Sequence, residues 1–130
     1  MSFVTDFKPG ILWKHFDRIL TIPRGSKNEG EMRQYIIDYA REKGLETKTD
    51  KAGNVLVKKG PTEGRENNPV ILQGHMDMVN EKNSDVDHDF DKDPLTPRQE
   101  DDYLYATGTT LGADNGIGMA AALALLEDEE

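Results

Sequence analysis

Three side chains in this 130-residue sequence are spaced to do chemistry together. His75 and Asp77 sit in Gly74-His75-Met76-Asp77-Met78-Val79, directly after the apolar run Val70-Ile71-Leu72-Gln73. In an extended chain, residues two apart point to the same face. The pair should therefore emerge together at the end of a strand, where sites form in open α/β sheets. A neutral imidazole is a good zinc ligand. A carboxylate beside it fixes the ring and raises its basicity. On its own, His-x-Asp is a weak signal, and a structural pairing is its commoner meaning. The third residue, Asp114, lies in Leu111-Gly112-Ala113-Asp114-Asn115-Gly116-Ile117-Gly118, just before an apolar helical segment. Asp is a preferred helix N-cap. It is equally suited to bridge two metal ions, which need a shared oxygen ligand, and glycines at 112, 116 and 118 would allow close backbone approach around it.

Two other patterns fail on inspection. Gly116-Ile117-Gly118-Met119-Ala120-Ala121 loosely matches a dinucleotide fingerprint, but Thr107-Gly108-Thr109-Thr110 stands where the hydrophobic strand should be. Asp85 to Thr96 has acids at alternate positions like a calcium loop. Its sixth position is Phe90 rather than Gly, and its twelfth is Thr96 rather than Glu.

The elements that must position these residues follow from periodicity. Ile11, Leu12, Phe16, Ile19 and Leu20 recur at helical spacing between Pro9-Gly10 and Pro23, with Trp13 flanking. Arg24 to Asn28 reads as a loop. Asn28 is the expected N-cap of a second helix, with Glu29 and Glu31 in its first turn and Met32, Tyr35, Ile36, Tyr39 and Ala40 facing inward. Gly44 should end it. Leu45 to Lys51 and Asn54 to Lys58 predict a hairpin about Ala52-Gly53-Asn54. After a polar loop over 60–68, Val70 to Gly74 predicts a central strand buried on both faces. A long polar loop runs from Asn80 to about Arg98, followed by a short strand at Tyr103 to Ala106 and a mostly apolar helix from Ala113 that belongs in an interior.

Composition narrows the function. The 25 acidic and 16 basic residues give a formal charge of −9, which repels phosphate backbones and argues against nucleic acid. With no cysteine, any metal site must use His, Asp and Glu. The first residues lack the pattern of a signal peptide, and no stretch approaches a membrane span. The expectation is a cytoplasmic protein. A mostly apolar helix followed directly by the end of the chain at Glu130 also suggests a piece of a longer chain, the alternative being a natural terminus with a solvated acidic tail.

His75-x-Asp77 followed by Asp114 in Gly-Ala-Asp-Asn-Gly resembles the co-catalytic zinc peptidase family of aminoacylases and glutamate carboxypeptidase-like enzymes. Ile71 to Val79, His88-Asp89-Phe90, Lys92-Asp93-Pro94 and Thr110 to Gly118 carry the likeness to a dipeptidase branch of it over nearly the whole chain. The resemblance implies an α/β fold: a three-layer α/β/α catalytic domain with a mostly parallel mixed sheet. Residues 1–130 would be its N-terminal portion, without the lid domain or the C-terminal half. It implies that His75 ligates one zinc, Asp77 orients His75 as part of the catalytic apparatus, and Asp114 bridges two ions, with cobalt or manganese as possible substitutes. It also implies a cis peptide at Asp114–Asn115. The family's Glu-Glu pair, further acid, last His and dimer-forming lid lie elsewhere. Glu129-Glu130 is not that pair, because it comes straight off the Asp114 helix instead of following another strand. The implied reaction is hydrolysis of Xaa-His dipeptides (carnosine-like) by metal-activated water, in a homodimer. This piece alone would be inactive. The alternatives are an aminoacylase or deacylase of the same family, or a non-catalytic metal-binding module. Two protein ligands are too few for the closed four-ligand site that such a module needs.

Overall fold

The aliphatic and aromatic stripe of the first helical segment finds its partner at the other end of the chain. In the computed structural model, which describes residues 1–62, 64–66 and 68–129, a 3-10 turn at Phe3–Asp6 leads into helix α1, Gly10–Ile19. Phe16, Ile19 and Leu20 are buried against the last helix, α3 (Ala113–Glu127), whose Met119, Ala120 and Leu123 complete the core with Val4, Met32, Met78 and Leu95. Ile11 lies on the exposed side of α1, while His15 and Asp17 are buried. The polar pair was not foreseen as inward-facing.

Helix α2 covers Gly30–Glu42, with Met32 and Ala40 buried and Tyr35, Ile36 and Tyr39 packed at the core's margin. Its end follows expectation. Gly44 takes φ +72°, the Gly44 N–H donates to the Arg41 carbonyl and the Leu45 N–H to the Ala40 carbonyl, the paired bonds of a Schellman motif. Its start does not. Glu29 occupies the cap position without a side-chain cap, and Asn28 Nδ2 instead donates to Asp91 Oδ1 at 3.1 Å.

Strands β1 (Glu46–Thr49) and β2 (Val55–Lys58) form the expected antiparallel hairpin, with Glu46 opposite Lys58. Asp50 accepts from the backbone and side-chain nitrogens of Asn54 across the turn. Strands β3 (Pro97–Glu100) and β4 (Tyr103–Ala106) form a second hairpin. Only β4 was anticipated, because Pro97-Arg98-Gln99-Glu100 has no apolar alternation.

The sheet departs from the expected plan. Among the described residues both sheets are two-stranded and antiparallel, and the parallel pairing is a lone bridge between Gly25 and Met78. Val70 to Gly74, expected as a buried central strand, is in no sheet. Val70 and Ile71 are each 82% exposed. Its apolar character is that of a central strand, but no flanking strand among the described residues reaches it. Two residues of the polar 60–68 loop (Glu63 and Asn67), and Glu130 of the Glu129-Glu130 pair, lie outside the described residues.

Candidate functional site

The run 76–78 is seated by residues 24–26. The Met78 N–H donates to the Arg24 carbonyl at 2.9 Å, and the Ser26 N–H to the Met78 carbonyl at 3.3 Å. This fixes the segment beyond the exposed apolar run, and His75 and Asp77 come together as the two-residue spacing predicts. Asp114 arrives on a different element. Gly112 (φ +71°) turns the chain into α3, the Gly116 N–H returns to the Gly112 carbonyl, and Asp114 and Asn115 depart from helical angles before the helix continues. The Asp114–Asn115 peptide is cis, as the resemblance implied. Asn115 Oδ1, rather than Asp114, accepts from a helical N–H, that of Gly118 at 3.1 Å. Asp114 is therefore not an N-cap, and its side chain is 98% exposed.

The three predicted residues meet around one imidazole. His75 Nδ1 lies 3.0 Å from Asp77 Oδ1 and 3.1 Å from the Asp77 carbonyl. His75 Nε2 lies 3.0 Å from Asp114 Oδ1. With two acceptors at Nδ1, that nitrogen carries the proton. A neutral ring would then turn its Nε2 lone pair toward the lone pairs of a carboxylate, which repel it. Two arrangements relieve this: an imidazolium, or a cation between Nε2 and Asp114. In keeping with the first, Asp114, followed by the Asp77 carbonyl and carboxylate, raises the His75 pKa above its ordinary value. The Ser26 hydroxyl, followed by the His75 ring, holds Asp77 below the usual carboxylate range. Ser26 Oγ donates to the second Asp77 oxygen, so Asp77 is held from both sides.

This donor set fits a metal in type, but only in part. Nε2 and the Asp114 carboxylate face one point, while Asp77 is on the far nitrogen. Among the described residues, no group of three or more His, Cys, Asp or Glu is placed to hold a metal ion.

Several features escaped the sequence reading. Arg24 and Ser26 lie in a stretch whose composition is that of a loop, yet both touch the His75 segment. Arg24 is 1% exposed, its Nη1 donating to the carbonyls of Met76 (3.2 Å) and Asp77 (3.3 Å) and its Nη2 to that of Gly112 (2.7 Å). Burial lowers its pKa to about 10, which leaves it charged at neutral pH. The glycines around Asp114 serve neighbours other than its carboxylate. A Cβ at Gly112 would meet Arg24 Nη2 at 2.4 Å, and one at Gly118 would meet Asn115 Oδ1 at 2.1 Å. Two acids of the 85–93 run bind their own loop, Asp93 accepting from the Asp89 N–H and Asp89 from the Asp91 N–H, while Asp91 accepts from Asn28.

No family model matches the chain. It is 49% identical to the cytosol non-specific dipeptidase of Escherichia coli (strain K12), over 99% of this chain and 27% of that protein. The crystal structure of aminoacylhistidine dipeptidase from Vibrio alginolyticus superposes with a TM-score of 0.95 at 48% identity, covering 99% of this chain and 26% of that one. A Staphylococcus aureus tripeptidase shares the fold at a TM-score of 0.66 and 24% identity, over 90% of this chain and 31% of its own. The likeness read from His75, Asp77 and Asp114 thus extends over the whole chain, which is similar to the aminoacylhistidine and cytosol non-specific dipeptidases and spans about a quarter of their length.

Proposed function

We propose that this chain is the N-terminal portion of the catalytic domain of a zinc-dependent dipeptidase acting on Xaa-His dipeptides. The observation that carries the reading is His75 placed between two carboxylates, Asp77 on Nδ1 and Asp114 on Nε2, each at 3.0 Å. Similarity at 49% identity to a dipeptidase favours this reaction over that of an aminoacylase. The aminoacylhistidine dipeptidase likeness favours a histidine-containing dipeptide. A metal-binding module without catalysis has no observation in its favour.

In this reading Asp77 keeps the proton on Nδ1 and leaves Nε2 free as a donor, and Ser26 keeps Asp77 aimed. His75 Nε2 would hold one ion, and the exposed Asp114 carboxylate would bridge to a second. A zinc ion held by His75 and Asp114 would supply Lewis acidity for the scissile carbonyl and for activating a water molecule. The general base and the remaining ligands would come from other parts of the full protein, so this chain alone would not turn over substrate.

The three-layer sheet belongs to the same proposal. Val70, Ile71 and Leu72 line, with β2 and with Met119, Leu123 and Leu126 of α3, a cavity of about 730 Å³. That apolar face supports a larger sheet than these residues build. The homodimer and its lid domain rest on the resemblance, and similarity to a cytosol dipeptidase favours the cytoplasmic setting. No helix among the described residues is long and apolar enough to cross a membrane.

The test is to assay a longer polypeptide containing this chain for histidine release from an Xaa-His dipeptide, with and without zinc or cobalt. Metal-dependent release that is lost in Asp114→Ala and His75→Ala is expected, with no release by residues 1–130 alone. Release that survives either substitution would overturn the assignment.

A further inference from the structure

The two halves of the candidate site lie on segments far apart in sequence, and something must hold them at a fixed separation. Residues 74–78 carry His75 and Asp77. Residues 111–115 carry Asp114. Farther out, Thr110 Oγ1 donates to the Val79 carbonyl at 2.7 Å, and the Thr110 N–H to the Glu81 carbonyl at 2.9 Å. Closer in, among the described hydrogen bonds, the two segments are linked by the His75–Asp114 contact itself and by the guanidinium of Arg24. One edge of that guanidinium donates to Met76 and Asp77, and the other to Gly112. The backbone of the same short segment pairs with Met78, and Ser26 Oγ holds Asp77.

We propose that Arg24 is a positioning residue of the metal site, a strut whose planar fork sets the distance between the His75 and Asp114 segments. The inference rests on the reading that these residues hold metal, but its geometric content does not need metal. Arginine suits the task because its donors point in several fixed directions, so one side chain can serve carbonyls on two segments at once. A lysine ammonium is a compact point charge on a flexible stem and can satisfy one segment or the other. Glycine at 112 fits the same account, because any side chain there would displace Arg24 Nη2. A buried arginine can also serve stability alone, and the test must separate the two roles.

The test uses residues 1–130 and the variant Arg24→Lys, which keeps the buried charge. Met32→Ala is the control, a core truncation outside the His75 and Asp114 segments. Far-UV circular dichroism gives the melting temperature of each. NMR then reads, without metal, the nuclear Overhauser contact between the His75 ring and the Asp114 side chain. Cobalt(II) titration reads the affinity. Arg24→Lys is expected to stay folded below its melting point, to lose the His75–Asp114 contact and to bind cobalt about tenfold more weakly, the size of effect expected when a group behind a ligand is removed. Met32→Ala should melt early yet keep both. In the wild type, the Arg24 Nη protons should be individually resolved and slow to exchange. The proposal is overturned if Arg24→Lys keeps the contact, if Met32→Ala loses it equally, or if the wild-type guanidinium rotates freely. If wild type binds no cobalt through His75, the metal reading fails, while the contact measurement still decides the role of Arg24. Should Arg24→Lys not fold, the wild-type Nη exchange decides it.

Discussion

Truncating Glu127 to Ala should destabilise the chain by about 2–3 kcal/mol, and the reason lies in three helices meeting at one carboxylate. Glu127 ends α3 and accepts from His15 Nε2 of α1 at 3.2 Å and from the Tyr39 hydroxyl of α2. His15 is 4% exposed. Left without its acceptor, a buried donor costs about 1–3 kcal/mol. The Tyr39 hydroxyl would keep only the 3.4 Å contact to the Leu123 carbonyl, which adds about 0.5–1 kcal/mol. The Lys43 pair at 3.9 Å is half in solvent and contributes little. For a chain of this length each kcal/mol moves the melting temperature by about 4 °C, so Glu127→Ala should melt about 8–12 °C lower. Glu127→Gln keeps an acceptor oxygen and should fall between the two. Thermal unfolding followed at 222 nm, at neutral pH, makes the comparison. An alanine variant that melts with the wild type would refute the reasoning, because it would mean that water already satisfies His15.

The same cluster sets a pH dependence. Burial outweighs Glu127 and lowers the His15 pKa below its ordinary 6.5, so its contribution is complete above that pH and is lost as pH falls toward the folded value. Partial burial alone would raise Glu127, but the Tyr39 hydroxyl, His15 and Lys43 together hold it below 4.5, so its share is lost at still lower pH. Melting temperatures at stepped pH should therefore fall in two stages on acidification, and a rise would contradict both signs. Phe16 is fully buried and packs edge-on against Trp13 and beside Gly116, so Phe16→Ala should cost about 3–5 kcal/mol in urea unfolding. A loss below about 1 kcal/mol would mean that the α1–α3 contact is looser than described. Asp77→Ala should weaken zinc binding by about 10–100-fold in calorimetry without shifting the melting temperature much. Unchanged affinity would remove Asp77 from its orienting role.

How far the sequence could be read depended on whether a feature needed partners remote in the chain. Helices α1 and α2 and the β1–β2 hairpin were legible because periodicity, Gly44 and the Ala52-Gly53-Asn54 turn act within a few residues. The His75–Asp77 pair was legible for the same reason, since their shared face needs only two-residue spacing. The convergence of Asp114 was not derivable from spacing and came from the motif around it. The 70–74 run shows the limit. Its composition is that of a central strand, yet a strand exists only when neighbours supply its hydrogen bonds, and none among the described residues does. Asn28 had the chemistry of an N-cap, but Asp91, 63 residues away, took its amide. Arg24 left no local signal at all. An arginine beside Gly25 and Ser26 reads as solvated loop, and only the folded chain shows three carbonyls waiting for it. Strand β3 was missed because a polar edge strand carries no alternation to detect.

The central claim is that His75 Nε2 and the Asp114 carboxylate face one cation while Asp77 keeps the proton on Nδ1. Cobalt(II) titration of the chain, followed by paramagnetic proton NMR, tests it directly, with His15 and His88 as internal references. The account predicts weak binding, since only two donors converge. It also predicts a strongly shifted Nδ1 proton, hydrogen-bonded to Asp77, on His75 alone, absent in Asp114→Ala. Binding that leaves the His75 signals unmoved, or that shifts them equally in Asp114→Ala, would contradict it.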